Sequence, residues 1–116
     1  MNRKIYVSGP LTEGDRLLNV RNAILAANIL LEAGDFPFCP HLTIMWDLIV
    51  PQSYDTWMRW DLTWLESCDA LLRLPGPSKG ADIEVAKAKD LKLPVYYNIE
   101  DLLPKHKRMT PVKLKP

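Results

Sequence analysis

The chain has 116 residues, 47% of them hydrophobic and 25% charged, and a net charge of +1. That length fits one domain with a modest core, and the near-neutral balance argues against nucleic acid as a partner. The longest apolar stretch, Ala23 to Leu31, is interrupted by Asn28 and falls short of bilayer length. The charge is unevenly placed: Lys105, Lys107, Arg108, Lys113 and Lys115 crowd residues 104–116 without an acid. These residues read as a basic, proline-containing tail after a domain covering residues 1–103. Cys39 and Cys68 lie outside any zinc-ligand spacing. They read as reduced core thiols of a cytoplasmic protein, and the N-terminus runs straight into a strand with no leader-like segment.

In chain order, Lys4 to Ser8 reads as a short buried strand entering a Gly9-Pro10 turn. Thr12 and Asp15 have capping-box spacing before a long helix, roughly Arg16 to Ala33, with Leu17, Val20, Ile24, Ala27 and Leu31 as its apolar row and Gly34 as its stop. Phe36 to Cys39 is a second strand, marked as an edge by Pro37 and Pro40. In residues 42–52, Ile44, Met45, Trp46, Leu48, Ile49 and Val50 are apolar and Pro51 ends the run; the stretch predicts a short helix or structured loop that covers a pocket or meets a partner subunit. Ser53 caps a helix over Tyr54 to Ser67, which sets Asp61 among tryptophans at the border of its buried face. Asp69 to Leu74 is a third strand. A Pro-Gly-Pro turn then leads to Ser78 and a helix running to about Leu91, and Leu93 to Tyr97 is a fourth strand.

Strands alternating with helices predict an α/β fold. The expected form is an open parallel sheet of four to five strands with helices on both faces, a Rossmann-like or flavodoxin-like three-layer sandwich. Ligands of such sheets bind outside the carboxyl ends of the strands. Three stretches land there: the segment after Tyr6 that holds Ser8, Gly9 and Pro10; His41; and Pro75 to Glu84. Neither a dinucleotide fingerprint nor a P-loop is present. Ser78 and Gly80 can offer a hydroxyl and backbone N–H groups to an anion, or can simply cap the helix. Glu84 falls in the row Gly80, Glu84, Ala88, Leu91, which should face the sheet, where a carboxylate is costly unless it is bound or used. Asp61 and Glu84, two carboxylates near an apolar cavity, are the minimum set for cleaving a glycosidic bond. His41 has no Ser or Cys partner suited to a competing nucleophilic mechanism.

Three segments together carry a resemblance: Lys4-Ile5-Tyr6-Val7-Ser8-Gly9-Pro10; Asp61-Leu62-Thr63-Trp64-Leu65 with Cys68-Asp69-Ala70; and Ser78-Lys79-Gly80 with Glu84. In their order and spacing they resemble the nucleoside 2-deoxyribosyltransferase superfamily. That superfamily includes the 2′-deoxynucleoside 5′-phosphate N-hydrolases and small members from phages. The resemblance implies Glu84 as a nucleophile forming a deoxyribosyl-enzyme, Asp61 as the group assisting the base or orienting the sugar, and Tyr6 as the residue positioning Glu84. It implies no cofactor and no metal, a small nucleotide or nucleoside as substrate, and a homodimer or larger homo-oligomer in which a neighbouring subunit completes the site. Ser78 stands where the nucleotide hydrolases carry a serine for the 5′-phosphate, so the expected reaction is hydrolysis of a deoxynucleoside 5′-monophosphate. Base exchange and a non-catalytic nucleotide-binding module are the alternatives. Ser8, Gly9, Pro10, His41, Ser78 and Gly80 are the expected substrate contacts.

Overall fold

The computed structural model describes residues 2–104, so the basic tail from residue 105 onward lies outside the described residues. Strand β1 (Lys4–Ser8) leads to helix α1 (Arg16–Glu32) and strand β2 (Phe36–Phe38). A 3-10 turn at Pro40–Leu42 runs into α2 (Thr43–Ile49), and α3 (Tyr54–Leu65), β3 (Ala70–Arg73), α4 (Lys79–Asp90), β4 (Val95–Tyr96) and a 3-10 turn at Ile99–Leu102 complete the order. The four strands form one sheet in the order β2-β1-β3-β4, and every pairing is parallel. This is the α/β architecture that the sequence predicts, with β2 at an edge where its proline is tolerated. Among the described residues no helix is long and apolar enough to cross a membrane.

Side chains of β1 alternate between the two faces of the sheet. Ile5 and Val7 join Ala23, Ala26 and Leu30 of α1, with Ala70, Leu72 and Leu102, in one core. Tyr6 joins Leu65, Cys68, Leu71 and Ala88 in the other, beneath α3 and α4. Both cysteines are free thiols within these buried layers.

Helix α1 corrects the expected apolar row. Leu17 is 79% exposed and Ile24 and Leu31 are also exposed, while Ala23, Ala26 and Leu30 carry the buried face. Apolar and polar residues are both spread around the helix, so periodicity does not single out one face. The face rich in alanine is the one that lets the helix approach the strands closely. Its start also differs: Asp15 is itself the N-cap, accepting from the Leu18 N–H at 3.1 Å, and the Thr12 capping box does not form.

One ion pair ties both ends of the described chain to the sheet. Asp35, 1% exposed, accepts from the Arg3 backbone N–H at 3.1 Å and from its guanidinium at 3.2 and 2.8 Å. The same guanidinium donates to the Leu102 carbonyl at 2.6 Å. The Arg3 guanidinium overcomes the effect of burial and holds the Asp35 carboxyl below its ordinary range. Arg3→Met leaves a buried carboxylate with its main charge partner removed. It is expected to lower unfolding stability by about 2–4 kcal/mol in urea titration, the range for losing charged hydrogen bonds to a buried group.

Candidate active site

The carboxyl ends of the parallel strands open on a cleft of about 590 Å³, an ordinary volume for a small-molecule site. Loop 9–13, the Pro40–His41 turn, α2, α3 and the start of α4 form its walls. Its polar lining includes Glu13, Arg16, Asp47, Asp61, Lys79 and Glu84.

Glu84 is built into the cleft floor. Ser78 caps α4 through its hydroxyl, which accepts from the Ala81 N–H at 3.1 Å, and Lys87 and Lys89 complement the far end of the helix. The face turned to the sheet is Ala81, Glu84 and Ala88. The expected row is shifted by one residue at its start, and Leu91 lies at the exposed rim. Glu84 is 5% exposed. Tyr6 Oη donates to its Oε2 at 2.7 Å, and Ser8 Oγ donates to its Oε1 at 2.8 Å. Two hydroxyls two residues apart on one strand fall on one face, and so meet the two oxygens of one carboxylate. Ser8 is fully buried, and its hydroxyl donates to Glu84.

Asp61 reaches Glu84 from α3 and hydrogen-bonds to it. Burial first, then the Glu84 charge, pushes the Asp61 carboxyl up to about 8. Burial also raises Glu84, while Tyr6, Ser8, the Arg73 charge and Asp61 pull it back down. Burial and the same carboxylates hold the Tyr6 phenol well above its usual value, so it stays a donor. The arrangement is therefore an Asp61 that keeps its proton to about pH 8 beside a Glu84 that accepts hydrogen bonds from Tyr6 and Ser8. Arg73, opposite Ser8 in the β1–β3 register, also donates to the Leu74 and Gly76 carbonyls and pairs with Asp82 at 3.1 Å, which pins the loop before α4.

The other expected contacts have structural duties. His41 is buried, and its Nε2 lies 2.9 Å from the Pro10 carbonyl, where it donates and fixes the first loop; burial lowers its pKa. A side chain at Gly9 would meet Leu74 at 2.9 Å, so glycine there lets the ends of β1 and β3 approach. At Gly80 it would meet Met58 at 3.3 Å and Tyr54 at 3.5 Å, so this glycine seats α3 against α4. Pro10 does not line the main cleft, whereas Gly9, His41, Ser78 and Gly80 do.

Several residues that the sequence does not single out shape the cleft. Trp57 Nε1 and the Gln52 backbone N–H both donate to Asp47 Oδ1, at 2.7 and 2.9 Å, and clamp α2 to α3. The tryptophans of 46–64 meet one another edge to face. Trp46 meets Trp57 edge-on at 5.2 Å, Trp57 meets Trp60 at 5.8 Å, and Phe38 links Trp60 to Tyr6. Glu13 Oε1 accepts from the Lys79 N–H at 3.1 Å. The helix start that the sequence suggests for a phosphate thus already holds a carboxylate and the Ser78 hydroxyl.

The chain matches a family described as a domain of unknown function, DUF7768, over residues 3–98. It belongs to that family. Among solved structures it is similar to the 2-deoxyribosyltransferase of the psychrotolerant bacterium Bacillus psychrosaccharolyticus. The TM-score is 0.61 at 20% identity, covering 86% of this chain and 82% of that one. It is also similar to a 2-desoxiribosyltransferase from Leishmania mexicana, with a TM-score of 0.58 at 19% identity. There the match covers 80% of this chain and 61% of the Leishmania chain. At these identities the likeness is one of fold. No curated protein matches the chain.

The carboxylate pair has a measurable cost. Asp61 ionises from 3.8 in its ordinary setting but only at about 8 in the folded chain. Between those values the folded state keeps a proton that the unfolded state releases, so stability falls as pH rises through that window. Asp61→Asn removes this linkage. Its urea midpoint is expected to fall less than that of the wild type between about pH 5 and pH 8. Parallel midpoint curves for the two proteins would show that Asp61 is ionised in the folded state.

Proposed function

We propose that this protein is a cytoplasmic enzyme that breaks the N-glycosidic bond of a 2′-deoxynucleoside, with Glu84 as nucleophile. The observation that carries this reading is the pairing of half-buried Asp61 with buried Glu84, with Tyr6 and Ser8 holding Glu84, at the floor of a cleft large enough for a nucleoside. The fold shared with two 2-deoxyribosyltransferases adds support.

In this reading a Glu84 oxygen attacks C1′ of the sugar, a glycosyl ester forms, and the C1′–N bond breaks. Asp61 gives its proton to the departing base. Tyr6 and Ser8 orient the carboxylate by donating hydrogen bonds to its two oxygens, and the raised pKa of Tyr6 keeps its proton in place. Water or a second base then attacks C1′, releases Glu84 and returns a proton to Asp61. Hydrolysis and base exchange share the first half, so an added free base that raises turnover marks the protein as a transferase. Arg16 and Lys79 in the cleft wall favour a second reading, in which the substrate carries a 5′-phosphate.

A folded Glu84→Ala protein is expected to lose at least about 10⁴-fold in base release, and wild-type protein quenched during turnover should carry a deoxyribosyl adduct on Glu84 by mass spectrometry. Unchanged base release from the variant sinks the mechanism. Activity should decline as pH rises through about 8, where Asp61 loses the proton it donates.

Self-association is part of the proposal. Helix α2 and its flanks expose Leu42, Met45, Leu48, Ile49 and Val50 beside the cleft, an apolar surface suited to a second copy of the chain. Sedimentation is expected to show a dimer or larger species at micromolar concentration, shifted toward monomer by Ile49→Glu; a wild type that is monomeric and fully active counts against it.

A further inference from the structure

Loop 11–14 brings into the cleft wall a carboxylate that the mechanism above leaves unused. Building on the reading of the cleft as a deoxynucleoside site, we infer that Glu13 determines specificity: its carboxylate fills the N-terminus of α4, keeps a 5′-phosphate out, and offers an acceptor to a free 5′-hydroxyl.

The loop is fixed in place. Asn19 of α1 donates through its amide to the Leu11 carbonyl at 3.1 Å and to the Glu13 carbonyl at 2.7 Å. Gly14 turns the chain with φ +81°, a conformation suited to glycine. So anchored, Glu13 accepts from the Lys79 N–H at 3.1 Å, while Ser78 takes the Ala81 N–H. Two donors that would otherwise attract a phosphate to this helix end are engaged inside the protein. Of the two cations in the wall, Arg16 lies close enough to Asp47 to help lower its pKa, and the Lys79 side chain is exposed. A phosphate dianion placed there would meet Glu13 with Glu84 and Asp47 nearby. A neutral hydroxyl would instead donate a charge-assisted hydrogen bond to Glu13.

The test has a binding arm and a kinetic arm. Inorganic phosphate is titrated into wild type and Glu13→Gln while the amide resonances of Lys79, Gly80 and Ala81 are followed. The variant is expected to bind phosphate at those amides at least about tenfold more tightly than the wild type; equal binding overturns the inference. In the kinetic arm, kcat/KM is measured for a deoxynucleoside and its 5′-monophosphate. The wild type should favour the unphosphorylated substrate, and Glu13→Gln should shrink that preference at least about tenfold. A wild type that favours the monophosphate, or a preference unmoved by the substitution, overturns the inference. If no protein releases base from either substrate while the phosphate titration behaves as expected, the catalytic reading fails and phosphate exclusion by Glu13 is upheld.

Discussion

Two short hydrogen bonds, from Tyr6 and Ser8 to the oxygens of Glu84, are the constraint around which this structure is arranged. A carboxylate beneath a helix and against a sheet is costly, and it is retained only where donors replace the water it has lost. Strand β1 supplies those donors from the middle of the sheet, with β2 and β3 paired on either side. A central strand moves little, so the hydroxyls are held in place by the sheet itself. Helix α4 must lie close above it, and Ala81 and Ala88, the small residues flanking Glu84 on the buried face, allow that approach.

The second carboxylate follows from the first. Asp61 reaches Glu84 only because α3 packs directly against α4, and Gly80 gives Tyr54 and Met58 the room to do so. Once there, Asp61 keeps its proton to about pH 8, because two neighbouring carboxyl groups out of water cannot both ionise cheaply. The result is an acid and a base in contact, set apart by their hydrogen bonds. Such groups are expected where chemistry is done, and they lower stability there.

The outer wall depends on aromatic packing and one polar clamp. A chain of ring contacts runs from Tyr6 through Phe38 to Trp60, Trp57 and Trp46, and so links the sheet to α2. Asp47 accepts from Trp57 and Gln52 and fastens the short helix that the rings alone would leave free to slide. Trp57 and Trp60 are half-buried, and Trp46 and Trp64 are exposed together with the aliphatic face of α2.

The resemblance alone put Tyr6 beside Glu84; the residues themselves carry the alternation of strands and helices, the parallel sheet, and a carboxylate on or beside the apolar face of each of α3 and α4. Each of these follows from local signals: apolar runs of strand length, caps at Ser53 and Ser78, and a carboxylate on an otherwise small-residue helical face. The spacing of Tyr6 and Ser8 also put two hydroxyls on one face of a strand, although only the structure shows that both are aimed at Glu84. Other features were decided by tertiary contact. The buried face of α1 depends on which side chains let it approach the sheet, and hydrophobic periodicity is silent when apolar residues are spread around the whole helix. The duties of Gly9, Gly80 and His41 depend on neighbours far along the chain. Glu13 reaches the start of α4, 66 positions away in sequence, because the sheet brings the loops after β1 and β3 to the same end; no local pattern encodes a meeting between residues so far apart.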